Sequence, residues 1–77
     1  MKKILLFDFI TREILEETSQ ESFEKTLKTL REKYKERNDL VVGKDYFFGV
    51  DTWFIKTINQ NITRITLEEE VKKYLKK

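Results

Sequence analysis

The sequence predicts an α+β domain, with a small antiparallel sheet of order about ββαβββα and two helices packed on one face. Three observations carry that reading. Ile4 to Ile10 is apolar at every position but Asp8, Phe23 to Tyr34 repeats large side chains at helical spacing, and Leu40 to Thr66 is dominated by β-branched and aromatic residues.

The first strand runs from Lys3 to Ile10. Leu5, Phe7 and Phe9 alternate with Ile4, Leu6 and Ile10, so both faces of the strand are apolar, as in an interior strand covered on both sides. A turn at Thr11 and Arg12 returns the chain as a second strand. The first helix opens at Thr18, whose hydroxyl and Glu21 three residues on form a capping box. Phe23, Leu27, Leu30 and Tyr34 form its apolar stripe, Glu21 with Lys25 and Glu24 with Lys28 lie on its solvated side, and Asn38 is the expected C-terminal cap.

From Leu40 to Thr66 the pattern reads as strands, since β-branched and aromatic residues dominate and no helix signal appears until Thr66. Gly43 and Gly49 are the only glycines, which marks each as a turn, a bulge or a close approach of backbone. Trp53 to Ile58 and Ile62 to Thr66 are expected to pair across Asn59, Gln60 and Asn61. A second capping box at Thr66 then opens a short helix with Leu67, Val71 and Leu75 inward and lysines in its last turn.

Composition bounds the function. A chain of 77 residues supports a single domain, 1–77, that buries only about 60% of its unfolded surface. It has no cysteine and no histidine, which removes disulfides, thiol redox chemistry and the common zinc sites and suits a reducing cytoplasm. The apolar run after Met1 is interrupted by Asp8, so it reads as a strand and not as a signal peptide, and no stretch approaches the roughly 18 to 20 apolar residues of a membrane span. Sixteen basic and fourteen acidic residues are interspersed, giving a net charge of +2 that does not by itself point to nucleic acid.

Catalytic residues, cofactors and metals are not expected. General acid–base work would fall to Asp8, Glu13, Asp45 and Asp51, each of which reads more simply as a strand-end or turn residue, and the serines at the first helix start have no base to activate them. The most informative segment is Tyr46 to Phe54, with five aromatics in nine residues. Rings on alternate faces cannot all meet helices on one side, so an apolar surplus is expected on the other face. An irregular segment of the chain, a second copy in a homodimer, or a foreign partner would cover it. The expected function is therefore a non-enzymatic, cytoplasmic protein-binding module, a phage- or plasmid-type inhibitor or adaptor of a larger protein. Its contacts would be Tyr46, Phe48, Trp53 and Phe54, with Lys44 and Asp51 at the rim. The alternative is a single-stranded nucleic-acid binder that adds Lys25, Lys28, Lys72 and Lys73 to the same aromatics.

Overall fold

The structure, a computed structural model, describes residues 3–76. It contains strands β1 (Ile4–Asp8) and β2 (Glu13–Glu17), helix α1 (Gln20–Lys33), strands β3 (Leu40–Phe47) and β4 (Val50–Thr57), and helix α2 (Arg64–Leu75). The α+β class holds. The order is ββαββα, and the four strands form one sheet in the order β2-β1-β4-β3. The sheet is mixed and not purely antiparallel, because β1 and β4 run parallel at its centre while each pairs antiparallel with an outer strand.

All five residues of β1 are buried, so both of its faces need cover. On one side Ile4 and Leu6 pack with Ile55 and with Phe23 and Leu30 of α1; on the other, Leu5 and Phe7 pack with Phe47, Val50 and with Leu67 and Val71 of α2. The two helices therefore lie on opposite faces of the sheet, which corrects the expected one-sided arrangement. Consecutive residues of a strand face opposite ways, and a strand apolar in both sets is satisfied only by a layer on each side.

Polar side chains fasten each layer. Glu17 points to the α1 side, where it accepts hydrogen bonds from Ser22 Oγ and from Thr26 Oγ1, the latter at 2.8 Å. Its neighbour Glu16 points to the α2 side, accepting from Tyr74 Oη and pairing with Lys3 Nζ at 3.1 Å. The Tyr74 bond foremost, with Lys3, holds the Glu16 carboxyl below its ordinary range. Asp8, only 2% exposed, uses Oδ1 to accept from the Ile10 N–H at 2.9 Å and the Thr11 N–H at 3.3 Å, which shapes the loop from β1 to β2.

Several element ends differ from the sequence reading. Ser19, not Thr18, caps α1: its backbone is extended and its Oγ accepts from the Ser22 N–H at 3.1 Å. The helix ends at Lys33 and not near Asn38, because Tyr34 leaves helical geometry. Thr63, not Thr66, caps α2, accepting from the Thr66 N–H at 3.2 Å, so residues 64–66 are the first helical turn and not a strand. The expected hairpin across Asn59 to Asn61 is absent for that reason. The second hairpin instead joins β3 and β4 through Phe48 and Gly49, both at positive φ, 51° and 79°, the conformation of the tightest hairpin turns.

Gly43 sits opposite Phe54 in the β3–β4 ladder, and the Phe54 ring lies directly over it. A Cβ there would stand 2.2 Å from Phe54 Cζ. Gly43→Ala is therefore expected to destabilise the fold by about 1 to 3 kcal/mol through overpacking. Thermal denaturation measures this, and an unchanged midpoint would show that the ring does not occupy the glycine's place.

Candidate functional site

The register separates the predicted contact residues by face. Lys44 and Tyr46 of β3 lie opposite Trp53 and Asp51 of β4, and all four side chains are on the α1 face. Phe54 belongs to the α2 face, where it packs against the α2-side core, so it does not join them. Phe48 projects from the hairpin turn and is 56% exposed; Tyr46 is 57% exposed.

Trp53 is half-buried. Its ring is 5.0 Å from that of Phe23 beneath α1, and Lys44 Nζ lies 5.5 Å from its centroid, a cation–π contact. Asp51 is 9% exposed, so it lies in the floor of this surface and not at its rim. The exposed part of the predicted site is thus Lys44, Tyr46 and Phe48, at the turn end of the hairpin.

This strip is open because α1 is set over β2, β1 and β4. Its stripe of Phe23, Leu27, Leu30 and Tyr34 meets Ile4, Leu6, Leu15 and Ile55, and the same face of the outer strand β3 is left with Val42, Lys44 and Tyr46 exposed. Between the end of α1 and β3 runs a trough of about 220 Å³, with Leu40, Val42 and Ile55 as floor and Leu30 and Tyr34 as wall. Sequence reasoning missed this trough, because nothing local in the sequence brings α1 beside β3.

Tyr34 is fixed there by its hydroxyl, which donates to Asp8 Oδ2 at 2.7 Å. Burial and that bond to a carboxylate push the phenol up to about 12. The free edge of β3 is also guarded. Asp45 Oδ1 accepts from the Tyr46 N–H at 2.8 Å while Asp45 Oδ2 accepts from Arg64 Nε at 3.1 Å, and a charged cap of this kind discourages a further strand from adding.

The lysines proposed for nucleic acid are divided by the sheet. Lys25 and Lys28 are exposed on α1, with Lys25 paired to Glu21 at 3.7 Å, and Lys72 and Lys73 are exposed on α2, across the sheet. No single surface gathers all four with the aromatics. Among the described residues, no three acidic side chains are placed to hold a metal ion, and no helix is long and apolar enough to cross a membrane. Comparison with known proteins adds no function: no family model, curated protein or solved structure matches this chain.

The Tyr34–Asp8 bond ties the end of α1 to the end of β1. Tyr34→Phe leaves Asp8 Oδ2 without its donor and is expected to cost about 1 to 3 kcal/mol. The phenol is raised in the folded state, so its contribution is complete below its ordinary value near 10 and is lost as pH climbs through about 12. Denaturant midpoints measured across this alkaline range should fall less steeply in the variant. Some slope remains, since Tyr74 is raised too by its bond to Glu16. An identical slope in both proteins would contradict the assignment.

Proposed function

We propose that this chain is a non-enzymatic, cytoplasmic protein-binding module, an inhibitor or adaptor that docks on a larger protein through the turn end of the β3–β4 hairpin. The observation that carries this reading is Phe48. An aromatic side chain is held exposed at a φ of 51°, in a left-handed conformation that costs an ordinary residue about 1 to 2 kcal/mol. Asparagine or glycine is the usual occupant of such a position. A small domain has little stability to spare, so a strained residue that adds nothing to the core is better explained by what it meets outside.

Tyr46 and Lys44 extend the surface along β3, and Trp53 backs it. An exposed tyrosine backed by a half-buried tryptophan, with a charged neighbour, has the composition of a protein-binding hot spot. The alternative of single-strand stacking is less favoured, because Trp53 is half-buried against Phe23 and Lys44 Nζ already lies 5.5 Å from its ring centroid.

Stability and binding should separate in Phe48→Asn. Relief of the left-handed strain is expected to raise the midpoint by about 4 to 8 °C, corresponding to about 1 kcal/mol, while capture of the natural partner falls about tenfold. Tyr46→Ala should lose binding without the gain in stability. The test is quantitative retention of mass-identified partners on the immobilised protein, run beside calorimetry. Full retention by the Phe48→Asn, Tyr46→Ala double variant would rule out this surface.

A further inference from the structure

The trough beside α1 carries a chemical signature of its own. Its floor of Leu40, Val42 and Ile55 is aliphatic, and Val42 stands 39% exposed on it. Its rim is formed by Arg31, Lys35 and Arg37, and among the described residues no acidic side chain lines it. Arg37 is held by Asp39 through paired bonds of 3.1 and 2.8 Å, whereas neither Arg31 nor Lys35 pairs with an acidic group of the described chain. Lys44 continues the positive charge along the same face of β3. The chain as a whole nearly balances its charges, yet here three cations border an apolar channel, and of the three only Arg37 is paired with an acidic group of the described residues.

We infer that the trough between α1 and β3 receives an acidic peptide segment of the partner protein, one that carries aliphatic residues among its carboxylates. The inference rests on the protein-binding reading above and deepens it. Aliphatic side chains bury against Val42 and Leu40, and carboxylates meet Arg31 and Lys35, so one segment satisfies both halves of the surface. Neither a nucleic acid nor a second copy fits as well. Bases need a free ring face, and Tyr34, the one aromatic among the described residues lining the trough, is tied to Asp8 and has Lys33 Nζ 5.3 Å from its centroid. A second copy would bring the same basic rim against its own, and edge-to-edge pairing through β3 is opposed by the Asp45 cap.

The test uses a random peptide library displayed on phage, panned on the intact chain, with enriched sequences synthesised and titrated by fluorescence anisotropy. Enriched peptides should be rich in Asp and Glu with interspersed Leu, Ile or Val. Their affinity should fall about tenfold in the Arg31→Glu, Lys35→Glu double variant, and also on raising salt from about 50 to about 300 mM. Both substitutions are on exposed side chains, and unchanged circular dichroism confirms that the variant is folded. Peptides that are not acidic, or no enrichment at all, would overturn the inference. Acidic peptides that depend on Tyr46 and Phe48 but not on Arg31 and Lys35 would overturn it while leaving the binding-module reading standing. Tighter binding of an oligothymidine, lost in the same double variant, would make nucleic acid the occupant. A dimer abolished by that variant would make it a second copy.

Discussion

The burial of β1 on both faces is the constraint from which the rest of the architecture follows. Five consecutive residues, Ile4 to Asp8, are removed from water, and four of them are large and apolar. One helix can cover only one of the two sets. The chain therefore supplies two, with Phe23 and Leu30 closing over Ile4 and Leu6, and Leu67 and Val71 closing over Leu5 and Phe7. Each layer is then fastened by a polar bond from a neighbouring position, Glu17 to α1, Glu16 to α2 and Asp8 to Tyr34. These bonds fix where the helices sit as well as contributing stability.

That placement creates the open strip on β3. With α1 drawn over β2, β1 and β4 by its anchors to Glu17 and Asp8, the outer strand is covered on the α2 side at Phe47, though not at Val41, and is left bare on the α1 side from Val42 to Tyr46. Val42, Lys44 and Tyr46 are exposed for this reason, and the trough beside Arg31 and Lys35 is the gap between helix and strand. At the other edge of the sheet, β2 carries Glu13, Glu16 and Glu17 and needs no further guard. The two edges are thus treated differently, one by charge and the other by the Asp45 cap beneath an exposed face.

Much of this was legible in the sequence. The alternating apolar sets of β1 announce a strand covered on both sides, the stripe from Phe23 to Tyr34 announces α1, and both glycines mark the close approach and the turn expected of them. The two-faced pattern of β1 already contradicted helices on one face, but the parallel pairing of β1 with β4 joins residues far apart in the chain and has no local signal. The caps were displaced because Thr18 and Ser19, and Thr63 and Thr66, offer competing hydroxyls a short distance apart. The β3–β4 turn was obscured because phenylalanine is a poor occupant of a left-handed position, so the asparagines near residue 60 gave the stronger turn signal. Period two alone would have separated Phe54 from Trp53; the trough required the fold.

The two-sided cover of β1 is tested most directly by interproton contacts in a methyl-labelled nuclear Overhauser spectrum. The account predicts cross-peaks from Leu6 methyls to the Phe23 ring and from Leu5 methyls to Val71, with none from Leu5 to Phe23. Cross-peaks from both helices to the same member of the Leu5 and Leu6 pair would place α1 and α2 on one face. The open strip on β3, and the binding surface proposed on it, would then have to be abandoned.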